Sequence, residues 1–363
     1  MRVVTFGEVM LRLAPEEFLR LSQVLPGRLE ATFGGGEVNV AVSVALQGGQ
    51  SAYATVLPDN PITDSFVQEV RKLGVDSSLI QRSKQGRFGV YFVETGANQR
   101  AGTVTYDRDH SCISLAGPDA YNWNTIFAGA TWFHITGITP AISASAAQAA
   151  LEAVKQAQAR KIPVSCDLNF RKKLWRWQAG KSPVELARQT MRELVKSVDL
   201  VIANEEDADM CLGIQAPESN VEAGEIHLEG YGHVAREIVR QFPNVKRVAI
   251  TLRESISASH NNWGGLLYDA ASDAVYCAPT NAAGTYEPFE IHNIVDRVGA
   301  GDSFAGGLIF ALNTAGLGQP ATAIAYAVAA SCLKHSIKGD FNYATRSEIE
   351  GLMKGGGSGR VQR

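Results

Sequence analysis

The stretch that decides the fold is 296-DRVGAGDSFAGG-307. Gly299, Ala300 and Gly301 form a corner that can turn tightly and bring backbone N–H groups against a ligand, because glycine adopts angles closed to other residues. The residues behind it, DSFAGGLIFALNTAG, repeat with helical periodicity. The corner is therefore read as a helix N-terminus, where free N–H groups and the helix dipole favour an anion. Asp302 falls in the first turn. A carboxylate there either caps the helix or takes a proton from a hydroxyl attacking a phosphoryl group. In the second case the N–H groups would steady the charge developing on the transferred group. On this stretch alone both readings stand.

Spacing argues against two commoner phosphate motifs. A dinucleotide fingerprint begun at Gly299 would need its third glycine where Phe304 stands. The GKS at Gly180, Lys181 and Ser182 would need an earlier glycine where Trp175 stands, so it is not a P-loop.

The chain has 363 residues, enough for one large domain or two modest ones. A net charge of −3 gives no basic field for nucleic acid or an anionic membrane. No apolar run approaches the roughly 18 residues of a spanning helix. The start, MRVVTFGEVML, reads as a buried strand and lacks the long apolar core of a leader. Cys112, Cys166, Cys211, Cys277 and Cys332 are odd in number, scattered and without CxxC spacing. Reduced thiols in a cytoplasmic protein are the expectation. His110, His134, His260, His292 and His335 have no zinc-binding spacing, and no G-x-S-x-G elbow supports acyl transfer.

From residue 120 the pattern alternates. Short apolar strands are expected over 130–137, 162–170, 198–207 and 245–252, with helices near 143–160, 183–196 and 230–241. That order argues a parallel sheet covered on both faces. Residues 10–33 and 87–107 instead alternate apolar and polar, as half-exposed antiparallel strands do. They are read as a small sheet, a lid or dimer surface. EVNVAVSVALQGG (37–49) reads as a helix ended by glycine, 213–229 as an irregular insertion, and 355–363 as a flexible tail.

DRVGAGDSFAGGLI resembles the C-terminal signature of the ribokinase-like (PfkB) sugar kinases, and FGGGEVNVAVSVALQGG resembles their N-terminal signature. Their order, separation and intervening strand–helix body also match. GEVMLRLAP, FGVYFVETGANQR, VTYDRDHS, HITGITPA and SCDLNFRKKLW resemble the branch that phosphorylates 2-keto-3-deoxygluconate. The resemblance implies an α/β fold with a Rossmann-type three-layer core, a mostly parallel central sheet and a β lid. The core would comprise 1–9, 34–86 and 108–354, and the lid 10–33 and 87–107. It implies an ATP- and Mg²⁺-dependent carbohydrate kinase with Asp302 as general base and Gly299, Ala300 and Gly301 as anion hole. Gly34, Gly35, Asn39, Tyr91, Tyr106, Arg108 and Arg171 would bind the sugar. Asn204 and Thr251 would serve the nucleotide side, Asn204 arranging magnesium and phosphates.

The arginines also have a reading of their own. An acid sugar carries a carboxylate that guanidinium groups bind bidentately, and Arg108 and Arg171 could meet over one pocket. Other readings stay open: a kinase of fructose, a ketogluconate or a nucleoside, or a sugar sensor without turnover. A homo-oligomer joined through lid strands is expected. The chain departs from the family pattern at Arg297 and Val298, where threonines are common, and at Asp207, where glutamate is. Asp296 leaves a monovalent cation, K⁺, open. RESISASHNNWGG (253–265) lacks the early glycines of a nucleotide loop.

Overall fold

The computed structural model describes residues 1–216 and 228–355. Strand residues turn alternate side chains to opposite faces, and here both alternations are apolar. Val4, Val201, Val248 and Leu266 are buried in one cluster, while Val3, Leu200, Ala249 and Leu267 are buried in another. A sheet greasy on both sides needs helices on both sides, and these strands take the middle layer of three.

Among the described residues eleven strands form this sheet. Its order begins Ala274–Ala278, His260–Asp269, Arg247–Ser257, Leu200–Ala203 and Val164–Asp167. It continues with Trp132–Thr136, Arg2–Phe6, Gln50–Pro58 and Val75–Asp76. From Arg247–Ser257 through to Val75–Asp76 every pairing is parallel. The helices Ala144–Ala159, Pro183–Val195 and Leu228–Gln241 pack against Val4 and its neighbours. The helices Gly36–Leu46, Ala300–Leu312 and Pro320–Lys334 pack against the opposite face. Local signals fix the ends: Ser143 accepts from Ala146 N, and Ser182 forms a capping box with Glu185 ahead of Pro183.

A second sheet has the order Glu30–Gly34, Met10–Ala14, Gly89–Glu94, Thr103–Asp107. Its outer pairs are antiparallel, as expected, but the central pair, Met10–Ala14 with Gly89–Glu94, is parallel. The chain enters this sheet twice from the core, at Met10 and at Gly89, so both entering strands point the same way. The lid is pinned through Arg12, which is 3% exposed. Its guanidinium donates to Asp296 at 2.5 Å and to Asp340 at 2.7 Å, both on core loops.

Three expectations change in extent, the first being the strand expected over 198–207, which stops at Ala203 because Asn204 caps a helix that begins at Glu205. The strand expected over 162–170 stops at Asp167, because the backbone turns away at Asn169, whose φ is 39°. The run after Leu252 is not a loop. It extends the strand to Ser257 and returns as His260–Asp269 in a long hairpin. Of the insertion expected at 213–229 and the tail at 355–363, residues 217–227 and 356–363 lie outside the described residues.

Candidate active site

The glycine corner forms as a helix start. Gly299 has φ 82° and precedes the helix Ala300–Leu312, which has no side-chain cap among the described residues. A Cβ on Gly299 would lie 2.1 Å from the carbonyl oxygen of Asp340, so both the angle and the approach demand glycine. A Cβ on Gly301 would meet nothing within 4 Å, which leaves that side of the corner open. Asp302 does not cap its helix. Its Oδ2 accepts instead from Asn39 Nδ2 at 2.6 Å, which sets the capping reading of this carboxylate aside. Burial raises its pKa to about 6 and Asp340 adds to the rise, while the Asn39 bond, Arg171 and Lys334 oppose it. A carboxyl so tuned is largely ionised near neutrality yet basic enough to take a proton.

Corner and carboxylate face a cleft of about 530 Å³. The strand ends Asp167, Ile202 and Ala203 and the strand residue Thr251 line it, the usual place for a ligand in an open α/β sheet. Every residue given a catalytic, sugar or nucleotide role in the sequence lines this one cleft: Gly34, Gly35, Asn39, Tyr91, Tyr106, Arg108, Arg171, Asn204, Thr251, Gly299, Ala300, Gly301 and Asp302. Gly35 is there because its backbone runs against Glu8, whose carbonyl oxygen a Cβ would meet at 2.1 Å. The next residue but one, Glu37, was missed. It is fully buried, accepts from Thr136 and Thr139 hydroxyls at 2.8 Å each and from Thr136 N at 3.0 Å. Burial pushes it up to about 7 against those bonds. It ties the helix bearing Asn39 to the end of the strand Trp132–Thr136.

The second sheet closes one end of the cleft. Tyr91 and Tyr106 are direct cross-strand partners with ring centroids 6.3 Å apart, and Arg108 lies 5.4 Å from the Tyr106 ring centre. The two arginines share the cleft but not their condition. Arg108 is buried and its terminal nitrogen is paired with Glu8, an acid the sequence did not single out. Arg171 is exposed; a long 3.4 Å bond to the Phe170 carbonyl is its one hydrogen bond and it forms no ion pair, among the described residues. Of the pair expected to clamp a carboxylate, Arg171 therefore keeps its charge available.

At the other end Asn204 and Asp207 form a reciprocal capping box. Asn204 Oδ1 accepts from Glu206 N and Asp207 N at 2.9 Å, and Asp207 Oδ2 accepts from Asn204 N at 3.2 Å. Asp207 Oδ1 also accepts from Phe170 N at 2.8 Å and so holds the segment that carries Arg171. Aspartate at 207 is explained by two duties, closing this box and holding the Phe170 amide. Arg297 is explained too: it donates to the carbonyls of Ser257 and Ala258 at 3.0 and 2.7 Å, fastening the hairpin tip to the glycine corner. Asp167 lines the cleft, and burial with the nearby Asp207 and Asp302 holds its carboxyl well above the usual range. Among the described residues no ready cluster of three metal ligands exists. Asp167 and Asp207 are the carboxylates that could lend oxygens to a divalent cation taking most of its ligands from phosphates and water.

A doubly wound sheet with an uncapped helix start, a raised carboxyl and a lid above one cleft describes a class of phosphoryl-transfer enzymes. The match to known families narrows it: residues 1–235 and 266–342 fit the pfkB family carbohydrate kinase model, and the chain belongs to that family. It is 30% identical over 358 residues, 98% of each chain, to a 2-dehydro-3-deoxygalactonokinase of Haloferax volcanii. It is 26% identical to a 2-dehydro-3-deoxygluconokinase of Thermoproteus tenax, over 93% of this chain and 92% of that one. Among solved structures, a 2-dehydro-3-deoxygluconokinase from Thermotoga maritima superposes with a TM-score of 0.86 at 41% identity, covering 98% of this chain and 99% of the other.

Proposed function

We propose that this kinase transfers the γ-phosphoryl of ATP to the 6-hydroxyl of 2-keto-3-deoxy-D-gluconate. The observation that carries the reading is Asp302, held by Asn39 beside an uncapped glycine corner, with the exposed Arg171 on the same cleft. Asp302 takes the hydroxyl proton as the oxygen attacks, and the N–H groups of the corner receive the charge of the moving phosphoryl group. Arg171 binds the sugar carboxylate, Tyr91 and Tyr106 wall the sugar from above, and the lid keeps water from competing. Asp167 and Asp207 would hold a magnesium ion. When bound, that ion offsets phosphate charge. The free lid edges Glu30–Gly34 and Thr103–Asp107 support pairing with a second copy, which light scattering tests.

The experiment is a screen of acid and neutral sugars with ATP and Mg²⁺, read as ADP release. The acid sugar should be preferred by kcat/KM, and Asp302→Asn should lose on the order of a thousandfold in kcat while still binding it. Preference for fructose, or near-normal turnover in that variant, would overturn the reading. The gluconate and galactonate epimers are separated in the same screen.

A further inference from the structure

Beneath the glycine corner lies a set of buried charges, of which Asp340 reaches the cleft and Arg12, Asp296 and Lys334 do not line it. Lys334 ends the helix Pro320–Lys334, where a lysine ordinarily stretches its ammonium to water, yet it is fully buried. Its Nζ donates to the carbonyl oxygen of Ile337 at 2.9 Å and lies 3.5 Å from that of Asp296. These carbonyls belong to the two loops that shape the corner. Asp296 is three residues before Gly299, and Ile337 is three before Asp340, whose own carbonyl packs against Gly299. The loops are also joined by a bond from Val295 N to the His335 carbonyl at 2.9 Å. The Asp296 carboxylate accepts from Val298 N at 3.0 Å and Gly339 N at 3.1 Å, besides Arg12. Two cations, Arg12 and Lys334, thus stand against two anions, Asp296 and Asp340. Burial acts to lower the Lys334 pKa, and Asp296 and Asp340 work against that.

The residues do not fit the monovalent cation that Asp296 left open. An alkali ion is held by a cage of oxygens, and the carbonyls of Asp296 and Ile337 beside a carboxylate would begin one. The Lys334 nitrogen already sits on both. We infer that Lys334 is a built-in cation that takes the part of a bound K⁺, fixing the two loops under the anion hole and cancelling carboxylate charge that would repel the incoming phosphoryl group. It acts as a positioning residue through the backbone of Gly299 and needs no exchange with solvent. The inference rests on the kinase reading of the corner, and it makes phosphoryl transfer indifferent to alkali cations.

The test measures ADP release, with the sugar the screen selects, in buffers whose only monovalent cation is tetramethylammonium, and then with K⁺ or ammonium added. Wild type should change by less than about twofold. Lys334→Ala, which opens the space, should lose at least about tenfold in kcat with KM altered far less, and K⁺ or ammonium should restore it. Lys334→Met, which fills the space without charge, should lose kcat without rescue. Thermal melting gives a readout that needs no turnover: K⁺ should raise the melting temperature of Lys334→Ala and leave wild type unmoved, because only a bound ion stabilises. This arm stands even if the sugar or the activity assigned above is wrong. Activation or stabilisation of wild type by K⁺ would overturn the inference. So would wild-type kcat in either variant, or a loss in Lys334→Ala that neither cation repairs. If Lys334→Ala folds only when K⁺ is present, that also supports it.

Discussion

At the scale of single residues, the proposed base Asp302 would make the Asn39–Asp302 bond a control on the working pH. Burial and the opposing Asn39 bond together leave this carboxyl at about 6. The base must be ionised, so kcat/KM should fall as pH drops through that value. Asn39→Ala removes the lowering contact, raises the carboxyl further and should move the acid limb of the profile to higher pH; a limb that stays put would refute the pairing. Arg171→Ala should raise KM for the acid sugar about 10- to 100-fold with kcat little changed, the loss expected when a charged partner is left without its hydrogen bonds. Arg108→Ala should act differently and lower the unfolding midpoint as well, since it strands Glu8 in the interior. Asp302, Asn39 and the glycines were legible in the sequence because their types and spacing have few other uses. Glu8, Arg12, Lys334 and Asp340 were not. A lone charge in a strand, at a helix end or in a connection reads as a solvated side chain, and only the tertiary fold turns these four inward.

At the scale of elements, the helix start Gly299–Asp302 depends on a left-handed residue packed on a carbonyl. Gly299→Ala meets both obstacles, a φ of 82° and a contact of 2.1 Å. Displacing the corner should cost on the order of 10²–10³ in kcat, the loss typical of removed oxyanion donors, with sugar affinity measured by calorimetry nearly kept. Retained turnover would show that the N–H groups of this corner do not hold the phosphoryl group. The core strands and helices were readable to within a few residues because an apolar alternation or a 3.6-residue repeat is written locally. The hairpin Arg247–Asp269 was read as a loop past Leu252, because RES and HNN carry the polar residues of a loop while their pairing partner lies across the turn. The parallel middle of the lid was unreadable for a similar reason. Strand direction depends on where the chain re-enters from the core, and no local pattern records that.

At the scale of the whole molecule, a buried side chain joins lid to core across more than 280 positions of sequence: Arg12 on Asp296 and Asp340. A buried pair adds little compared with apolar packing, but breaking it leaves uncompensated charge, typically about 3–5 kcal/mol. Arg12→Met should therefore lower stability by roughly that amount in urea unfolding, with Lys334 left to face two carboxylates alone. The lid should also close less completely. Water then competes with the sugar hydroxyl for the phosphoryl group, so the ratio of ADP released to sugar phosphate formed should rise above one. Arg12→Lys, whose compact ammonium reaches one carboxylate rather than spanning two, should fall between. An unchanged unfolding midpoint together with strict one-to-one coupling in Arg12→Met would mean that the lid is held by its apolar face, Met10, Ala14, Tyr91 and Val93, and not by this bridge.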